Sequence, residues 1–331
     1  MIHMDMLLRI AFFSQTVIGL QGNFFLIFLF TFMFFTGQRL RSIDLILAQL
    51  ALANSLVLLF KALPQGLAAL GMKNFLDDIG CKIVFYLHRV ARGLSLSMTC
   101  ILSGLQAIII SPNNTMWIAL KARVPKYIIP SSVLSWIFHM LQNIIVLENL
   151  QGPRGTRNIS GTKEYGYCSI NVANDINASI HAIVFSFPDA VLMAFISFTS
   201  GYKIYLLQKH HKRVQQMHSV HFATQAFPEA RATKMILLLV SIFVTFYLLN
   251  AIMTAYMHSM TLRPWMLHSS AFMSSFFPMV SPFVLISSDS QIRRYYNAVH
   301  GRRSPHTETY LDLNIFSCFG QRDKSHWKAF I

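Results

Sequence analysis

Five side chains that carry or answer charge stand inside stretches that are otherwise apolar: Lys61, His88, Arg89, Arg92 and Asp189. Guanidinium and ammonium groups bind carboxylates, sulfates and phosphates, so this set suits anion recognition or an internal ion pair. A charge at mid-bilayer costs roughly 2.5–3.5 kcal/mol on insertion scales, so these residues belong against protein or a water-filled cavity rather than lipid. His88 and Arg92 are four apart and share a helix face, with Arg89 turned about 100° from His88. Two compatible readings follow. The residues form a polar wall of a ligand cavity, or Arg and Asp form a structural pair that lowers the cost of burying each. For Lys61 the plainer reading is a side chain that snorkels to the outer interface.

Other chemistry is poorly represented. No G-x-S-x-G, H-E-x-x-H, phosphate-binding loop or C-x-x-C occurs, and the chain has only 13 acidic residues. The four cysteines, Cys81, Cys100, Cys168 and Cys318, make neither a zinc pattern nor a disulfide scaffold. The expectation is a protein that is not an enzyme and needs no metal or cofactor.

The elements that must position the charges are membrane helices. Hydrophobic residues make up 54% and charged residues 12% of 331, about half the charge of a soluble domain. Seven apolar stretches reach bilayer length: 10–35, 44–70, 80–110, 126–147, 177–207, 232–258 and 266–288. They predict an all-α membrane protein, a seven-helix bundle over 10–288, with a short outer segment at 1–9 and a cytoplasmic tail at 289–331. Lys61 then lies in the outer part of the second span, His88, Arg89 and Arg92 in the outer third of the third, and Asp189 about three turns into the fifth. These are similar depths at about 1.5 Å per residue.

The net charge of +15 would suggest nucleic acid for a soluble chain. Here it is explained by basic loops on the cytoplasmic side of a bilayer. With the N-terminus outside, most of the basic residues fall inside, among them Arg39, Arg41, Lys121, Arg123, Lys126, Lys203, Lys209, Lys212, Arg213, Arg231 and Lys234. The N-terminus runs into the first span without the pattern of a cleaved signal, so that span is expected to direct its own insertion. The same topology puts Cys81 and Cys168 in the outer, oxidising compartment, where they are expected to pair. It also sorts three glycosylation sequons: Asn113 lies inside, Asn177 at the membrane edge, and Asn158 in an exposed polar loop as the favoured site. The segment Asp289–Val299 reads as a short amphipathic helix on the inner leaflet.

Several local motifs, in order, resemble the vomeronasal type-1 receptors, a family within the G-protein-coupled receptors: Leu47–Asn54 (LAQLALAN), Leu87–Ser95 (LHRVARGLS), Leu105–Pro112 (LQAIIISP), Ser200–Ser219, Pro228–Ser241 and Ser281–Ile286 (SPFVLI). The chain departs from rhodopsin-like receptors as that family does. Asn54 stands where those receptors carry an Asp, and Ser103–Gln106 stands where they carry Asp-Arg-Tyr. Ser281-Pro282 with Leu285 replaces Asn-Pro and a Tyr.

The resemblance implies a plasma-membrane chemosensory receptor for a small pheromone-like molecule, coupled to a heterotrimeric G protein of the inhibitory type. Because His88, Arg89 and Lys61 stand where amine receptors hold an Asp, a neutral or anionic ligand is expected, such as a steroid-like skeleton bearing sulfate or carboxylate. His181, Tyr247, Asn250 and Phe276 or Phe277 are candidates for the same cavity, although ordinary packing accounts for each of them. Gln106, Lys209, Lys212, Arg213 and Arg231 are candidates for the G-protein face, and basic residues there also attract anionic lipid. The competing reading is a transporter of small organic anions. The two halves show no similarity of the kind transporters built from repeats display.

Overall fold

A computed structural model describes residues 2–36, 41–72, 75–112, 114–144, 147, 150–151, 162–164, 168–171, 175–217, 228–259 and 264–288. Its long helices are α1 (Ile2–Phe35), α2 (Ser42–Val57), α4 (Asp78–Ile110), α5 (Thr115–Asn143), α6 (Asp175–Met217), α7 (Pro228–Ser259) and α8 (Pro264–Ser288). A π turn (Leu58–Ala62) and the short α3 (Leu63–Ala69) continue α2. Among the described residues, six stretches are long and apolar enough to cross a membrane: Ile10–Phe35, Ile43–Ala68, Asp78–Ile110, Ser186–Lys209, Leu237–Thr254 and Trp265–Ser287. Phe28, Leu134, Phe187 and Phe198 point outward from the bundle, as side chains solvated by lipid do.

Local sequence explains the helix limits. Arg41 caps α2 by donating its backbone N–H to the Asp44 carboxylate at 2.8 Å, and its guanidinium pairs with the same group at 2.8 Å. The π turn has a cause in Pro64, which has no N–H to donate to the carbonyl four residues back. The ladder widens just before it, with the Leu63 N–H donating to the Leu58 carbonyl. Helix α4 starts where Asp77 accepts from the Gly80 N–H at 2.7 Å. It ends before Ser111-Pro112, and Lys121 donates to the Ser111 carbonyl at 2.8 Å, placing a cation at the negative end of the helix.

From Val90 onward α4 is the buried axis of the bundle, with Leu94, Leu96 and Met98 almost fully enclosed. It packs against α2, α5 and α6. The approach to α5 is close: a Cβ built on Gly93 would lie 2.6 Å from Cε1 of His139. Helices α1 and α8 also meet closely, where Gly22 faces the Pro282 ring. Asn23 satisfies the backbone there. Its side-chain amide donates to the Pro278 carbonyl at 2.8 Å, which Pro282 leaves without its helical donor.

Three findings differ from the sequence expectation. The chain is not wholly helical: β1 (Leu150–Gln151), β2 (Thr162–Glu164) and β3 (Ser169–Asn171) form a small antiparallel sheet in the order β1-β3-β2. These strands are too short for alternating hydrophobicity to register. Lys121, Arg123 and Lys126 are not in a loop but on the first half of α5, which starts at Thr115. Lys203 does not face the cytoplasm from a loop; it lies on α6 and is only 1% exposed.

Candidate functional site

Arg92 is the centre of the site. Its Nη2 donates to the Tyr247 hydroxyl at 2.7 Å and lies 3.2 Å from Oδ2 of Asp189. The Tyr247 hydroxyl donates in turn to the same carboxylate, and the guanidinium carbon sits 4.8 Å from the centre of the tyrosine ring. One cation, one anion and one phenol thus join α4, α6 and α7. The side chains of Arg92 and Asp189 are 30% and 20% exposed, so the pair is not sealed off.

The cavity beside this triad holds about 440 Å³ of empty space, its mouth included. Phe243, Phe246, Met273 and Phe277 give it apolar walls, while His88, Arg92, Tyr247 and Asn250 border it with polar groups. His88 Nε2 is buried and has no hydrogen-bond partner among the described residues. Lys61 sits half-buried in the π turn. Asn250 accepts from the Ser270 hydroxyl at 2.9 Å, so one of its polar atoms is committed to packing α7 on α8.

Arg89 turns away from this cavity. Its Nε donates to Oδ1 of Asn143 at 3.0 Å, and Asn143 donates to the His139 carbonyl at 2.8 Å. Behind Arg92 lies a second, small polar space bordered by Arg89, His139, Gln142, Asn143 and Asp189. Arg92 borders both spaces. Gln142 and Asn143 were missed by sequence reasoning, and neutral amides in an apolar helix give no signal of which neighbour they serve. His139 bonds the Ser97 hydroxyl at 2.8 Å. The side chain of His181 lies outside the described residues.

Beneath the cavity Asn54 links three helices. Its Oδ1 accepts from Ser95 and its Nδ2 donates to Ser281, each at 2.8 Å. Farther along α4 the Ser103 and Thr199 hydroxyls bond at 2.8 Å, and Lys203 Nζ lies 3.0 Å from Ser103 Oγ and 3.1 Å from Gln106 Oε1. Gln106 is therefore joined to Lys203. Lys209 is exposed, with its ammonium 5.8 Å from the Tyr205 ring centre. Lys212 and Arg213 lie on α6 and Arg231 on α7, with side chains outside the described residues.

At the N-terminal end of α4 Cys81 and Cys168 form a disulfide, with Cα atoms 5.8 Å apart, joining the head of α4 to the segment that leads into β3. Asn158 and Asp289–Val299 lie outside the described residues. Among the described residues no three His, Cys, Asp or Glu side chains gather in a metal-binding group.

A model of the vomeronasal organ pheromone receptor family matches residues 6–298. The chain is 41% identical over 297 residues to human vomeronasal type-1 receptor 1, covering 89% of this chain and 84% of the relative. It is 41% identical over 292 residues to human vomeronasal type-1 receptor 3, covering 87% and 93%. A more distant relative, the zebrafish (Danio rerio) olfactory receptor class A-like protein 1, is 28% identical over 286 residues, covering 86% and 90%.

Proposed function

The chain belongs to the vomeronasal organ pheromone receptor family, and we propose that it detects a small neutral or anionic chemosignal in the cavity beside Arg92 and activates a heterotrimeric G protein of the inhibitory type. The family is one of receptors rather than enzymes. The observation that carries the ligand class is the charge balance of the site. His88 and Arg92 border an apolar-walled space, and Asp189 is the carboxylate paired with Arg92. Such a site favours a largely apolar ligand that carries an acidic or hydrogen-bond-accepting group, and a steroid-like skeleton with a sulfate or carboxylate remains the class we propose to test first.

The arrangement in the plasma membrane takes α5 as the seventh span beside the six apolar ones. Residues 1–9 lie outside, 10–288 form the receptor domain, and 289–331 lie in the cytoplasm. Asn158 is then available for glycosylation on the outer side. Gln106, Lys209, Lys212, Arg213 and Arg231 lie toward the G protein. Basic residues between the fifth and sixth spans support this orientation.

A panel of neutral, acidic and amine compounds, applied to cells expressing the receptor with an inhibitory-type G-protein readout, tests the proposal. Responses to neutral or acidic compounds are expected, and acidic responses are lost in Arg92→Ala at equal surface expression. Compound flux into proteoliposomes without nucleotide exchange would establish a transporter instead.

A further inference from the structure

Helix α5 carries two cations that the bundle does not use. Its buried positions Ile128, Ser132 and His139 share one face, and Leu134, Ile137 and Leu141 are exposed on the opposite one. At about 100° per residue Arg123 stands in line with Leu134 and Leu141 on that outward face, with Lys126 and Tyr127 to either side of it. All three are exposed. Among the described residues none of them has a hydrogen-bond or ion-pair partner, and α5 has no Asp or Glu of its own. Lys121 differs, because its ammonium is spent on the Ser111 carbonyl at the end of α4. The outward face thus changes from apolar to cationic without turning toward the protein. Leu141 and Arg123 are 18 residues apart, about 27 Å along a helix, close to the roughly 30 Å of a bilayer's hydrocarbon core. A guanidinium, an ammonium and a phenol then stand at the depth of the lipid phosphates.

We propose that Arg123, Lys126 and Tyr127 form a site for an inner-leaflet lipid whose headgroup bears a phosphomonoester, the polyphosphoinositide class. This rests on the membrane arrangement proposed above, in which α5 is a span with its first turns toward the cytoplasm. A phosphomonoester carries about −1.5 to −2 charge and three acceptor oxygens. The Arg123 fork takes two of the oxygens, the Lys126 ammonium adds a second positive charge, and the Tyr127 hydroxyl donates to the third. Phosphatidylserine matches this set less well, since it offers a diester and a carboxylate with its own ammonium beside them. The face also selects a lipid over other anions. A lipid's acyl chains cover Leu134, Ile137 and Leu141 while its headgroup meets the cations, whereas a soluble phosphate leaves the apolar part of the stripe bare. A headgroup held here steadies the first turns of α5, and with them the Lys121 contact to the end of α4.

Full-length receptor is reconstituted in phosphatidylcholine nanodiscs that contain fluorescent phosphatidylinositol 4,5-bisphosphate or fluorescent phosphatidylserine at matched lipid charge. Energy transfer from a dye on the receptor reports which lipid gathers beside it. In the natural receptor the phosphoinositide is enriched about tenfold over phosphatidylserine, the size expected of two cations near a membrane surface. Arg123→Gln with Lys126→Gln removes that enrichment, and Arg123→Lys keeps part of it. Excess soluble inositol 1,4,5-trisphosphate does not displace the lipid. Equal enrichment of the two lipids in the natural receptor overturns the proposal, as does enrichment that survives in the double variant. Full displacement by the soluble headgroup also overturns it, because the acyl chains then contribute nothing. The discs present the same lipid on both faces, so binding tests the site whichever way the chain is inserted. An N-terminal tag that antibodies fail to reach on intact cells overturns the membrane orientation instead, and leaves the measured site in place.

Discussion

Arg92 and Asp189 face each other at 3.2 Å across the gap between α4 and α6, with the Tyr247 hydroxyl bonded to both. An acidic ligand entering the cavity therefore meets an arginine that already has a carboxylate. Binding exchanges one partner for another, and the difference between them sets the affinity. Asp189→Asn removes the resident charge but keeps the shape, so acidic compounds should act at about tenfold lower concentration, or about 1.4 kcal/mol. Arg92→Ala should lose them, and neutral compounds should shift much less in either variant. Concentration–response curves at matched surface expression measure this. A parallel loss of acidic and neutral responses in Asp189→Asn would mean that the pair only holds helices together.

The disulfide makes a separate prediction. Cys81 and Cys168 are 87 residues apart in sequence, and on the chain-entropy model closing a loop of that length stabilises by about 4 kcal/mol, less where membrane insertion already restricts the unfolded chain. Cys81→Ser and Cys168→Ser should each reduce surface expression strongly, and the double variant should be no worse than either single one. Surface labelling of the three variants tests this, and additive losses would mean that the cysteines act independently.

Asn23 and Pro282 should be energetically coupled through the Pro278 carbonyl. Asn23→Ala leaves that carbonyl buried without a donor, at a cost of about 1–3 kcal/mol. In Pro282→Ala the residue regains its own N–H and can serve the same carbonyl, so Asn23→Ala should cost less in that background. Thermal unfolding of the four purified forms yields the coupling. Equal losses in the two backgrounds would place the role of Asn23 in its second bond, to the Gly19 carbonyl at 2.7 Å.

How far the sequence exposed these features depended on the kind of signal. The apolar spans were plain because a run of about 20 apolar residues without charge is the length of a bilayer crossing and is rare in a soluble core. Arg92 and Asp189 stood out for the same reason, as charges where none are expected. Lys203 reads as one of the basic residues facing the cytoplasm, whereas it is buried on α6. It lies toward the end of an apolar run, and composition gives depth along a helix but not which way one lysine faces. Asn143, which receives Arg89, is a neutral amide with many conceivable partners. The sheet pairs β3 both with its neighbour β2 and with the more remote β1, a register that no run of two or three residues can announce.

Gly93 provides the sharpest steric test of the packing around Arg92. A methyl group there would meet three atoms of the His139 ring, with Cε1 at 2.6 Å and Cγ at 2.8 Å, closer than any real contact. The ring has little freedom to retreat, because its Nε2 is bonded to Ser97 and the His139 backbone carbonyl accepts from Asn143, the residue that receives Arg89. Gly93→Ala should therefore destabilise by about 1–3 kcal/mol through overpacking and push α5 from α4, disturbing Arg89 and, one residue away on α4, Arg92. Shrinking the partner should relieve the clash, so Gly93→Ala with His139→Ala should recover more thermal stability than the two single losses would allow if they added. Strict additivity would mean that the two helices are not in contact at this level. The acidic-ligand response of the double variant then separates two contributions to the site: recovery with stability means that the helix spacing sets Arg92, whereas stability without response means that the imidazole takes part in positioning it.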